Sequence, residues 1–124
     1  MKHFRIDEGA SYTRFGKKYG VLVVDMDRRE LFPKDEPSVF KELSDYVAEN
    51  KGKGVCLDLR NREYNYDGPT LFKLMELSFA LKISGRKGLG LKGVYEPDRR
   101  IFTENFKEGN FHLYEESEEE VVGV

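Results

Sequence analysis

Arg60, Arg62, Tyr64 and Tyr66 alternate in one short turn, and Asp67-Gly68-Pro69-Thr70 follows directly. Arginine supplies a fixed charge with a planar fork of donors. Tyrosine supplies apolar area with a polar tip, and both types dominate the energetics of protein interfaces. The plainer alternative is a half-exposed segment with packed tyrosines and solvated arginines. Base stacking on the tyrosines is chemically open too, but no wider basic face accompanies them. Asp67 or Gly68 suits a helix N-cap, and Pro69 suits the first helical position, where its missing N–H would be unpaired anyway. Such an entrance presents free N–H groups and the positive end of a helix dipole, and so favours a phosphate or a carboxylate. Here the chain supplies its own carboxylate, Asp67, with Thr70 as the nearest hydroxyl.

Residues suited to catalysis or metal binding do not form a constellation. His3 and His112 lie far apart and lack the Cys or carboxylate spacing of a metal site. Cys56 is the sole cysteine, which excludes an intrachain disulfide framework, and within an apolar strand it reads as a small core residue. Gly85-Arg86-Lys87-Gly88-Leu89-Gly90 has glycines and cations, yet it lacks the phosphate-loop pattern and precedes a strand; it reads as a turn. No nucleophile or acid–base pair emerges, so neither an enzyme, a cofactor nor a metal is expected.

The elements that must position the turn follow from patterning. A chain of 124 residues implies one domain, 1–124, large enough to bury a core. Its net charge of −2 lacks the basic excess of a nucleic-acid binder. With no apolar signal region or membrane-length run, a cytoplasmic location is expected. Ser11–Phe15 is a candidate edge strand, Gly16–Gly20 a turn, and Val21–Val24 a continuous apolar run suited to a central strand covered on both faces. Asp25–Glu36 is a connection. Pro37 opens a helix whose buried stripe is Val39, Phe40, Leu43, Tyr46 and Val47, and Lys51-Gly52-Lys53-Gly54 ends it.

Val55–Leu59 is the next strand, and the helix from about Pro69 to Ser84 is apolar around most of its circumference. Such a helix either lies deep in the fold or presents an apolar face to a partner. Leu89–Val94 is a strand weakened by glycines, and Glu96-Pro97 opens a helix that buries Ile101, Phe102 and Phe106. Phe111–Tyr114 is the last strand, and Ser117–Glu120 carries a capping-box pattern for a short terminal helix. Alternating strands and helices predict an α/β fold: a mostly parallel mixed sheet of four or five strands packed against three or four helices.

With the elements in this order, the chain resembles a STAS domain, the fold of bacterial anti-sigma-factor antagonists, with the domain core over about 20–122. Val55-Cys56-Leu57-Asp58-Leu59 is similar to that family's apolar strand ending in Leu-Asp-Leu. Gly93-Val94-Tyr95-Glu96-Pro97-Asp98-Arg99-Arg100-Ile101-Phe102 resembles its later strand, loop and arginine-bearing helix, and Phe111–Glu120 its last strand and acidic terminal helix. The departure is at the turn. Counting without gaps from Asp58, the family's aspartate falls on Tyr66 and its phosphorylatable serine on Asp67. Gly68-Pro69 replaces the residues leading to the family's glycine, and Arg62 and Asn65 stand where apolar residues are usual.

The resemblance implies partner switching in transcription regulation. An unmodified antagonist binds an anti-sigma factor, often itself a serine kinase, and phosphorylation at the helix entrance breaks the complex by adding roughly two negative charges. Asp67 has no hydroxyl, so the expectation is a protein-interaction domain whose switch is lost there, or one that accepts phosphate on Thr70 instead. The expected partner is an anti-sigma factor, a serine kinase-like regulator or another STAS protein, with a homodimer also open. Its docking residues would be Arg60, Arg62, Tyr64, Tyr66, Asp67 and Thr70. The rival expectation is a small-ligand module, binding a lipid or nucleotide beside the apolar helix. A plain helix cap by itself explains Asp67 well, and the two readings are compatible.

Overall fold

The computed structural model describes residues 1–8, 13–14, 17–25, 27–107 and 109–114. Six strands and three α-helices are present among them: β1 Phe4–Ile6, β2 Thr13–Arg14, β3 Lys17–Val24, α1 Pro37–Glu49, β4 Lys53–Asp58, α2 Gly68–Ile83, β5 Leu89–Lys92, α3 Arg99–Asn105 and β6 Phe111–Tyr114. The sheet runs β1-β3-β4-β5-β6, with β2 also paired to β3. Strands β3, β4, β5 and β6 are mutually parallel, and β1 and β2 are antiparallel to β3. Because β4 takes the other flank of β3, β1 and β2 share one edge position.

Strands β3 to β6 neighbour one another in chain order, so each right-handed crossover steps the same way and places its helix on the same face. That face holds the main core, where Leu22, Leu57, Leu91 and Leu113 of the sheet meet Val39 and Leu43 of α1, Leu74 and Leu81 of α2 and Phe102 of α3. The opposite face carries a smaller buried group of Tyr19, Val21, Cys56 and Tyr114. Tyr114 lies across Gly90, where a Cβ would come within 3.0 Å of its ring and 3.2 Å of Cys56, and its hydroxyl reaches that of Tyr19 at 3.4 Å.

Val21–Val24 is the central strand its composition predicts, with all four residues buried. The expected turn at Gly16–Gly20 is corrected, since 17–20 extend β3 instead. Gly20 is there for close approach: a Cβ would collide with the Tyr46 hydroxyl of α1 packed over it. The predicted edge strand is described only at Thr13–Arg14, and β1 at Phe4–Ile6 was not anticipated. Strand β1 is anchored by Glu42 of α1, whose carboxylate accepts the N–H groups of Lys2, His3 and Phe4 at 2.8–3.2 Å. Helix α1 stops at Asn50 rather than at the lysines, with both the backbone and side-chain nitrogens of Asn50 bonded to the Tyr46 carbonyl. The predicted helix at Ser117–Glu120 lies outside the described residues.

Candidate interaction site at the entrance to helix α2

The turn after β4 is fastened at both ends. Leu59 N–H donates to the Lys92 carbonyl at 2.8 Å and Asn61 N–H to the Gly93 carbonyl at 2.7 Å, so pairing with the β5 side continues past the strand. Asp58 Oδ1 accepts the Arg60 N–H at 2.8 Å. Farther on, Asn65 N–H donates to the Arg29 carbonyl at 2.9 Å, tying the turn to the connection before α1. Between these ties Arg60 and Asn61 both adopt left-handed backbone, with φ of 57° and 58°. Each such non-glycine conformation costs on the order of 1–3 kcal/mol and persists only where its surroundings hold it. Gly93 makes the approach possible. It has φ of 66°, and a Cβ there would sit 3.1 Å from Asn61 N and 3.2 Å from Arg60 N.

The side chains of the turn divide sharply. Arg60 is exposed, and Arg62 is half-buried with Nη1 3.8 Å from Asp27 Oδ1. Tyr64 is only 4 % exposed, which corrects its assignment to a docking surface. Its ring begins an aromatic chain running inward, Tyr64 to Tyr66 at 6.3 Å, Tyr66 to Phe102 at 5.2 Å and Phe102 to Phe111 at 5.4 Å. Tyr66 is half-buried, and its face against Phe102 belongs to the core. Burial raises the pKa of both tyrosine hydroxyls and keeps them neutral at pH 7. Burial also pushes the Asp98 carboxyl up, reinforced by the charge of Glu63.

Behind the turn lies a cation that sequence reasoning missed. The Arg28 guanidinium sits 5.3 Å over the Phe4 ring, with Nε, Nη1 and Nη2 buried and without hydrogen-bond partners among the described residues. Burial lowers its pKa, and the nearby Tyr64, Glu36 and Glu42 act against that shift. No spacing or motif marks this residue; only the packing of the α1 connection against β1 and the turn identifies it.

At the entrance itself, Asp67 has the extended backbone of an N-cap, and its Oδ1 accepts the Thr70 N–H at 3.0 Å. The Thr70 hydroxyl and this N–H together hold the Asp67 carboxyl below the usual carboxylate range. Gly68 is the first helical residue and Pro69 the second, one position later than expected. Asp67, Gly68 and Pro69 face solvent, whereas Thr70 is 5 % exposed. The residue considered as a substitute phosphoacceptor is therefore buried and engaged with Asp67.

Helix α2 is buried on one face and leaves apolar side chains exposed on the other. Leu74, Leu77, Ser78 and Leu81 are buried. Ser78 Oγ donates to the Asn110 carbonyl and accepts the Leu89 N–H at 3.2 Å, fastening the helix across β5 to the loop before β6. On the outer side Phe72, Phe79 and Ile83 expose 66 %, 52 % and 85 % of their surface. Beside that stripe a cleft of about 400 Å³ lies between α1 and α2, with an apolar floor that includes Phe40, Val47, Leu77 and Ala80. Lys73 Nζ stands 5.7 Å over the Phe40 ring.

The other singled-out residues lie elsewhere. His3 is buried, with Nε2 3.4 Å from Ser38 Oγ and Nδ1 3.7 Å from Glu36 Oε2. His112 is in β6, on the face opposite the helices. Arg86 donates from Nη1 to the Asn50 carbonyl at 3.0 Å and from Nε to Ser84 Oγ at 2.6 Å, so in that glycine-rich turn it closes helix ends. Among the described residues, no group of three or more His, Cys, Asp or Glu side chains could hold a metal ion, and no helix is long and apolar enough to cross a membrane. No family model matches the chain, and no curated protein or solved structure matches it either.

Proposed function

We propose that this chain is a non-enzymatic STAS-like interaction domain acting in partner-switching regulation, and that it docks through the entrance to α2. The observation that carries the reading is Asp67. It caps α2 at the surface, at the place the resemblance gives to a phosphorylatable serine, while Thr70 beside it is buried and bonded to it. The entrance thus offers a permanent carboxylate and no accessible hydroxyl. One charge and two oxygens imitate a phosphoserine only in part. Docking at this site is therefore insensitive to phosphorylation.

The sheet order supports the reading: β3 to β6 are parallel in chain order, the edge strand is antiparallel, and the helices share one face. Exposed Arg60, exposed Asp67 and the apolar outer side of α2 supply the chemistry of a protein interface. The partner is an anti-sigma factor, a serine kinase-like regulator or another STAS protein. To test this, tagged wild type is used to capture partners from its native cell for mass spectrometry, and wild type and Asp67→Ser are incubated with the kinase so found. A regulator is captured, and phosphate enters only the serine variant. Phosphate on wild-type Thr70, or capture of no regulator, sinks the reading. The cleft between α1 and α2 favours one rival, a small apolar ligand. Native mass spectrometry of freshly purified protein decides against it if only the bare chain mass is seen.

A further inference from the structure

We infer that the outer face of α2 pairs with a second copy of this chain, the two α2 helices lying antiparallel. Phe72, Phe79 and Ile83 are spaced by seven and four residues, so they form one stripe along the helix. All three are more than half exposed. Beside them lies the cleft between α1 and α2, with its apolar floor. An exposed apolar stripe beside a cleft is suited to a cover, and its charges say which.

Glu76 lies within the stripe, between the two phenylalanines, and Lys73 precedes it by one turn on the side facing α1, where it reaches Phe40. Such a face is complementary to its own antiparallel image. With a rise of about 1.5 Å per residue, a two-fold axis beside Met75 and Glu76 sets Phe72 opposite Phe79 of the second copy, and the reverse. The two Glu76 carboxylates then lie near the axis, and each is flanked by Lys73 of the other copy. Ile83 comes to rest on the exposed Pro69 of the second copy. An isologous interface requires this kind of self-matching.

The pairing itself is independent of the partner-switching reading. Only its consequence rests on that reading: the second copy covers Pro69 and crowds Asp67, so self-association and partner docking exclude one another.

Sedimentation equilibrium of the full chain from about 1 to about 100 µM tests the pairing, since that range spans weak and moderate dissociation constants. Wild type is expected to dimerise. Phe79→Asp is expected to remain monomeric, and Glu76→Lys to raise the dissociation constant at least about tenfold, because four cations then meet at the axis. Glu76→Lys combined with Lys73→Glu restores the alternation and the dimer. Circular dichroism confirms that each variant is folded. A wild type that is monomeric throughout overturns the inference, as does a dimer indifferent to Phe79→Asp or a charge reversal that fails to rescue. None of these results bears on whether a regulator is captured from the cell, so the two proposals fail separately.

Discussion

The two faces of α2 are both apolar, yet they lie in opposite environments. Leu74 and Leu81 are fully buried against the sheet, while Phe72, Phe79 and Ile83 stand in solvent. Hydrophobicity around the whole helix therefore does not report depth in this fold. The inner face is committed by contact with β5 and by the Ser78 bridge. The outer face has the same chemistry with no such commitment among the described residues. Apolar side chains clustered outside a core are a common mark of a binding surface.

Truncation should separate the faces most strongly. Leu74→Ala removes a fully buried side chain and is expected to cost about 2–5 kcal/mol, read as a fall in the urea midpoint. Phe79→Ala on the outer face is expected to stay within about 0.5 kcal/mol under monomeric conditions. Equal losses at the two positions would abolish the distinction. The next effect is smaller. Ser78→Ala leaves the Leu89 N–H and the Asn110 carbonyl without their shared hydroxyl, at a cost of about 1–3 kcal/mol. Hydrogen exchange is expected to rise at Leu89 first, and an unchanged Leu89 amide would show that the bridge does not hold α2 to the sheet.

The contrast was half legible from the residues alone. Continuous β-branched and aliphatic residues identify β3, and the Asp67-Gly68-Pro69 sequence identifies the start of α2, because both signals are local. Which side of α2 faces out was not legible. Phe72, Leu74, Phe79 and Leu81 are interchangeable by hydropathy, and only the sheet beneath distinguishes them. The same limit explains Tyr64. Alternation with arginines leaves a docking surface and a half-exposed segment with packed tyrosines both open. The second is what forms: beyond the left-handed backbone at Arg60 and Asn61 the tyrosines run inward toward Phe102. That conformation depends on Gly93, more than thirty residues away in the sequence, so nothing within the turn announces it.

The smallest expected effect lies at the N-terminal cap of α2. The carboxyl of Asp67 is held below its ordinary pKa by the Thr70 hydroxyl and N–H, and it is fully exposed. A depressed folded-state value means that the unfolded chain binds the proton more readily. The charged cap therefore contributes stability above the unfolded value of about 4, and that contribution is lost as the pH falls through the lower folded value. Asp67→Asn keeps a good cap without the charge, so it isolates this part. Thermal melts of the two proteins are expected to differ by a constant margin from about pH 5 to about pH 7 and to converge in stronger acid. A margin that persists unchanged at low pH would mean that the charge does not stabilise the helix start. The carboxylate would then be free to serve an interface alone, and a partner that reads its charge should lose affinity over the same acid range.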